Sequence, residues 1–323
     1  MSEENGTKHF LFGDEPGRKS RFAGFVFVGL TMLFISSFLL SSPSLISFSI
    51  SERQLLGTVL LLILLPVFFV LSMQMSSVRT RRELKKIAPY VDPHKLAKTM
   101  LASFSIRWFM WVGAILGASY GFYQNSWVIE DVVEQRATLF DVVFFMGNAF
   151  LWFGVGFFAS WRVYLSIGVS RLGKSFKVDV YDLELTKPFG RIATMDVLIV
   201  AASMSFMALQ GLDAEFRWVN YQSGSTVGII AATVLFILPI YGIHGAIKAA
   251  KDQRVAELKS RLLDIPRDNL EQLELLSAHI ARVQGLSSWP IDMALLRRIF
   301  FYGVIPPVAW VLAALVENLV DQF

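Results

Sequence analysis

Residues able to do chemistry are few in this sequence, and their positions narrow the chemistry further. There is no cysteine, which removes thiol nucleophiles, disulfides and cysteine metal sites. The histidines are His9, His94, His244 and His279. Only His244 adjoins an apolar run, at its polar end, where a lone imidazole serves a loop or headgroup contact or a titrating switch. Asp179, Asp182 and Glu184 could suit a hard cation by spacing, but no complete ligand loop surrounds them and Lys174, Lys177 and Lys187 can neutralise them. No phosphate-binding glycine loop, zinc-helix motif or nucleophile elbow occurs. The last apolar run has no lysine for a retinal Schiff base, and no histidine sits deep enough in a run to ligate haem. The residues therefore predict no catalytic, cofactor or metal site, and no enzyme.

The elements that would position any site are long apolar helices. The chain of 323 residues is 54% hydrophobic and only 17% charged, against about 25% charged in an ordinary soluble domain. The excess falls in seven runs, 22–40, 55–73, 106–122, 142–162, 195–212, 226–243 and 299–316. About 20 helical residues cross the roughly 30 Å hydrocarbon core of a bilayer. The expected fold is all-α: a polytopic membrane protein of about seven transmembrane helices, with a cytosolic helical hairpin between the sixth and seventh. The first run is too long for a signal-peptide core and lacks a clear small-residue cleavage site.

Positive charge orients the runs. Segments 1–21, 74–107, 162–191 and 248–298 hold 27 of the 30 Lys and Arg; Arg53, Arg136 and Arg217 are the others. Basic residues stay on the untranslocated side. This places the N-terminus in the cytosol and the C-terminus outside, the chain crossing the plasma (inner) membrane several times. The domains are then a cytosolic tail, 1–21; a transmembrane domain, 22–247, with interfacial cytosolic segments 76–105 and 164–193; a cytosolic hairpin, 248–298; and a seventh span with a short external end, 299–323. The basic inner face suits anionic lipid. It does not read as a nucleic-acid surface, because the charge is spread over four segments flanking lipid.

Ionisable residues inside spans mark solute pathways and proton relays. Arg107, Asp141, Arg162 and Asp196 all fall at run ends, and Asn148 is the most deeply placed amide. This pattern argues against a proton-coupled pump and a voltage sensor. A pore built from backbone, hydroxyls and hydrophobic gates stays open. Thr31, Ser36, Ser37, Ser203, Ser205 and Thr233 could line such a path or bond to their own helices. Pro66, Pro239, Pro306 and Pro307 free backbone carbonyls within runs and are hinge or gating candidates.

Packing and turn signals complete the frame. Gly113, Gly117 and Gly121 recur every four residues, on one helix face, and admit a second backbone; the fourth run, with Gly147, Gly154 and Gly156, is the natural neighbour. Asp92 and Pro93 begin a short interfacial helix. Phe176, Val178 and Val180 alternate with polar residues in a strand-like period. Val255, Leu258 and Leu262, then Leu273, Leu276, Ile280 and Val283, are amphipathic helix patterns. Ile265-Pro266 separates them, with Asp268 and Glu271 at capping-box spacing. Trp289 and Pro290 begin the re-entry into the membrane and, with His244, mark the junction between hairpin and bilayer.

Val178-Asp179-Val180-Tyr181-Asp182-Leu183, Pro188-Phe189-Gly190-Arg191, Leu238-Pro239-Ile240-Tyr241-Gly242-Ile243-His244, Ser288-Trp289-Pro290-Ile291-Asp292 and Ile305-Pro306-Pro307 resemble a group of uncharacterised prokaryotic polytopic membrane proteins. The resemblance covers about the C-terminal half and implies architecture, with no catalytic residue. The functional expectation is an oligomeric integral membrane channel or passive transporter, a homo-oligomer in the lipid bilayer, with the hairpin used for assembly or gating. The alternative is a non-transporting scaffold or signalling component that docks a partner through the hairpin.

Overall fold

The computed structural model describes residues 26–37, 50–102, 108–124, 126–134, 139–207, 209, 218–266, 269–291, 297 and 300–301. The seventh run, apart from Phe300 and Phe301, lies outside the described residues, as do Pro306, Pro307 and the N-terminal tail. Nine helices carry the described part: α1 (Val26–Ser37), α2 (Ile50–Ile87), α3 (Pro93–Ala102), α4 (Trp108–Gln124), α5 (Trp127–Val133), α6 (Leu139–Lys174), α7 (Lys187–Ser205), α8 (Trp218–Leu263) and α9 (Leu270–Gly285). The other described residues form short helical turns, among them the 3₁₀ segments Ala88–Tyr90 and Leu183–Thr186, and irregular segments, with no strand among them.

Among the described residues three stretches are long and apolar enough to cross a membrane: Gly57–Tyr90, Leu139–Lys174 and Gly224–Leu263. Each outruns the apolar run from which it is read in the sequence. The second apolar run and the start of the basic segment after it are one helix in α2; the sixth apolar run and the first amphipathic stretch after it are one helix in α8. A helix needs only continuous backbone bonding, so it does not stop where charge begins. Pro66 and Pro239 lie inside α2 and α8, and each helix continues through its proline. Each proline removes the N–H that would bond four residues back, at the carbonyls of Leu62 and Leu235.

Two apolar clusters stack along this bundle. The span cluster contains Leu62, Phe69, Phe158, Trp161, Met195 and Ile199. The base cluster, toward the Lys174 end of α6, contains Leu84, Ile87, Val169, Leu172, Phe189 and Ile243. Leu96 of α3 joins the base cluster, so this helix packs on protein as well as presenting Lys95. Its start is secured by Asp92, whose Oδ1 accepts from the His94 N–H at 2.8 Å. Outward-facing α4 is apolar in turn: Trp111, Val112, Ile115 and Leu116 are exposed.

The strand-like 176–181 segment forms no strand. Phe176 and Val180 are buried, but in different clusters, and the chain turns into a 3₁₀ segment, Leu183–Thr186. Alternation here reports two separate burial sites, without a sheet. The capping box is also placed differently: Asn269 caps α9, its side chain accepting from the Gln272 N–H at 3.3 Å. Asp268 lies outside the described residues. α9 then folds back on α8, burying Leu258, Ile280 and Val283 with Val180.

Candidate functional site

Two glycine contacts fix α6, the helix on which the site is built. A Cβ added at Gly113 would overlap Ser160 Oγ and stand 2.8 Å from the Gly156 carbonyl oxygen. At Gly117 it would overlap the Trp152 carbonyl, and at Gly121 it would lie 2.9 Å from Ala149 Cα. The three glycines thus seat α4 directly on the α6 backbone, within one chain. Of the fourth run's glycines, Gly156 meets the Gly113 carbonyl, Gly147 faces the Phe34 ring and Gly154 faces open space. Asn148, the deep amide, donates to the Gly121 carbonyl at 3.4 Å.

The second contact has no four-residue stripe to announce it. A Cβ at Gly242 of α8 would overlap the Ser170 carbonyl, and one at Gly173 would lie 2.6 Å from the Ile243 nitrogen. Single glycines on two helices that meet only in the fold leave no periodic signal.

Between these contacts sit Arg162 and Asp196, which the sequence places at span ends. Both lie well inside helices. α6 continues twelve residues beyond Arg162 to Lys174, and α7 begins nine residues before Asp196, at Lys187. Both side chains have no solvent exposure, and an Arg162 Nη2 proton is donated to Asp196 Oδ1. Arg162 follows Trp161 of the span cluster and precedes Val169 of the base cluster; Asp196 lies between Ala193 and Ile199 in the same way. The pair occupies the seam between the clusters.

The pair leaves much of its hydrogen-bonding capacity unused. Arg162 Nε and Nη1 and Asp196 Oδ2 are buried and have no partner within the protein. Ser166 Oγ, one turn along α6, is in the same state, as are Trp161 Nε1 and, on the buried face of α2, Ser76 Oγ and Thr80 Oγ1. A buried polar group without a partner costs about 1–3 kcal/mol, more when charged. Seven such side-chain atoms on neighbouring stretches of α2, α6 and α7 therefore need an explanation.

The hydroxyls singled out in the sequence behave differently. Ser36, Ser37, Ser203, Ser205 and Thr233 each donate to a carbonyl of their own helix. Only Thr31 among the six is buried without a partner. The unspent hydroxyls are mainly Ser76, Thr80 and Ser166, which composition does not distinguish from the others.

In the second half of α8 a second polar constellation straps the chain leaving α9. His244 Nδ1 donates to the Ser288 carbonyl at 2.9 Å, and its ring stacks on Trp289 with centroids 4.2 Å apart. Lys251 donates to the carbonyls of Gln284, at 3.0 Å, and Leu286. Pro290 is buried, and Ile291 packs on the base cluster. His244, Trp289 and Pro290 are thereby brought together, whereas Pro239 lies more than a turn away along α8 and Pro66 belongs to α2.

The acidic cluster is spent locally: Asp179 Oδ1 accepts from the Tyr181 N–H at 2.9 Å, and Glu184 pairs with Lys187. Tyr181 itself accepts from Arg254 Nε at 2.9 Å and meets His279 Nε2 at 2.8 Å. The hydrogen bond to Tyr181, with a further one to Glu257, holds the Arg254 guanidinium above its usual pKa. Tyr181, His279 and Arg282 edge an open groove of about 530 Å³ along α9.

Searched against protein-family models, curated proteins and solved structures, the sequence returns no match.

Proposed function

We propose that this chain is an integral membrane transport protein, a channel or passive transporter. One observation carries the reading: a fully buried Arg162–Asp196 pair, with unpartnered donors and an unpartnered carboxylate oxygen, lies where α2, α6 and α7 meet. Charges kept inside membrane helices are costly and belong to solute, ion or proton routes. The sequence argues against proton coupling because its ionisable residues fall at span ends; Arg162 and Asp196, at such ends, are nonetheless sealed inside the bundle.

In the proposed arrangement about seven spans cross the plasma membrane with the N-terminus in the cytosol. The span cluster lies at lipid depth, and the base cluster and the α8–α9 hairpin lie at the cytosolic end, where anionic lipid meets the basic segments. Copies of the chain assemble as a homo-oligomer, with the hairpin contributing to assembly or gating. Reconstitution of the purified protein into liposomes tests the reading. Solute flux or single-channel current that is lost on Arg162→Gln is the expected result. Silence of the unmodified protein across several ions and voltages would overturn it.

A second reading has its own observation. Leu263, Leu270 and Leu275 are 86%, 74% and 65% exposed around the hairpin turn, which suits a scaffold that docks a partner there. Liposome silence would favour it.

A further inference from the structure

We infer that Arg162 and Asp196 form a binding site for a small monovalent anion, taken up together with one proton. The inference rests on the transport reading for its purpose, but the site stands on its own atoms. Besides the Asp196 carboxylate, the unpartnered buried groups of α2 and α6 are all able to donate: the Nε–H and Nη1–H₂ of Arg162, the indole N–H of Trp161 and the hydroxyls of Ser76, Thr80 and Ser166. The one acceptor-only atom beside them is Asp196 Oδ2. A donor-rich, fully buried guanidinium site is complementary to an anion. With Asp196 ionised, however, the pair is already neutral, and an added anion would leave a net buried negative charge, which is prohibitive without compensation.

A proton resolves the conflict. When Asp196 takes a proton, its carboxyl becomes neutral and Arg162 is left as an unbalanced cation. An anion on the free guanidinium edge then restores neutrality. The balance is one H⁺ and one X⁻ added to a neutral pair, giving a neutral Arg⁺, COOH, X⁻ site. No bond other than the carboxyl O–H is made, and no oxidant or co-reactant enters. Both states avoid net buried charge, which is what a site sealed between two apolar clusters requires.

The surroundings leave the proton to Asp196. α6 brings Arg162. α2 brings the uncharged Ser72, Ser76, Ser77 and Thr80, with Glu83 further along, bound to Lys86 and facing Arg191 of α7 at 3.5 Å. α8 brings Leu235, Ile240, Ile243 and Ile247, and the 3₁₀ segment brings Glu184, already paired with Lys187. No second titratable group is buried with the pair among the described residues.

The test uses the purified full-length chain in detergent, with chloride as the probe and gluconate at equal ionic strength as the bulky control. Thermal stabilisation by chloride is measured from pH 5 to 8. Apparent chloride affinity is expected to fall about tenfold per pH unit where Asp196 is ionised, because one proton accompanies each anion. Asp196→Asn, a permanent mimic of the protonated carboxyl, should bind chloride as tightly as the unmodified protein does at low pH, without the pH slope. Arg162→Lys, which keeps the charge and loses the fork of N–H donors, should weaken binding by at least about tenfold. Should Arg162→Lys fail to fold, Asp196→Asn alone decides. No chloride effect at any pH, or an unchanged pH slope in Asp196→Asn, would overturn the inference. Liposome flux with no chloride binding leaves transport standing and removes this site. Chloride binding without flux leaves the site standing and removes transport.

Discussion

At the scale of single residues, Arg162 and Asp196 hold one another in place. Removing one partner leaves a bare charge sealed from water, which costs about 3–5 kcal/mol in comparable buried pairs, whereas replacing both with apolar side chains of similar volume is often neutral. Arg162→Met and Asp196→Leu should each lower the unfolding temperature of the purified protein markedly. The double variant should recover most of the loss while abolishing the proposed transport. Recovery of both fold and flux in the double variant would show the pair to be structural only. Neither residue's burial is legible in the sequence. A hydropathy window closes at the first charge, whether that charge meets water, lipid or a partner across the bundle. The distinguishing fact is that Arg162 and Asp196 are 34 residues apart along the chain and adjacent in the fold.

At the scale of elements, backbone contact between helices governs. Gly242 and Gly245 are three residues apart on α8, yet a Cβ at Gly242 would overlap the Ser170 carbonyl and one at Gly245 would meet nothing. Gly245→Ala should therefore stabilise the protein, by up to about 1 kcal/mol from helix propensity alone. Gly242→Ala should destabilise it by forcing α8 from α6. Thermal unfolding of the two variants in parallel reads the difference, and equal shifts would contradict the geometry. The Gly113, Gly117, Gly121 register is visible in the sequence because three glycines in phase define one face. The α6–α8 contact is invisible there, since one glycine per helix carries no phase. Helical character is legible throughout from long apolar runs. Helix ends are not, because α2 and α8 run on through the charged segments that close those runs. The alternation at 176–181 misleads because burial in two different clusters mimics the two faces of a strand.

At the scale of the whole molecule, the absence of cysteine makes topology directly measurable. Ser126 and Ser260 are both exposed, so a single cysteine at either position reports its side of the membrane. An impermeant maleimide added to intact cells should label Ser126→Cys and leave Ser260→Cys unlabelled until the cells are opened. The reverse pattern would invert the proposed orientation. Assembly is tested separately: deletion of 251–284 should reduce the number of chains in the detergent-solubilised particle, and an unchanged number would remove the hairpin from the assembly role.

The continuity of α8 also has a mechanical consequence. Its 46 residues, Trp218–Leu263, form one rod through Pro239, about 69 Å long at 1.5 Å per residue. The arm beyond Pro239 is about 36 Å. A tilt of about 10° at the proline, where the carbonyl of Leu235 has no N–H to restrain it, would swing the Leu263 tip by about 6 Å on that geometry. His244 and Lys251 tether the same arm to the chain leaving α9. With the proline as fulcrum, a small rotation between helices would become a large displacement at the hairpin, and a load applied to the hairpin would be returned to the seam with the leverage of that arm.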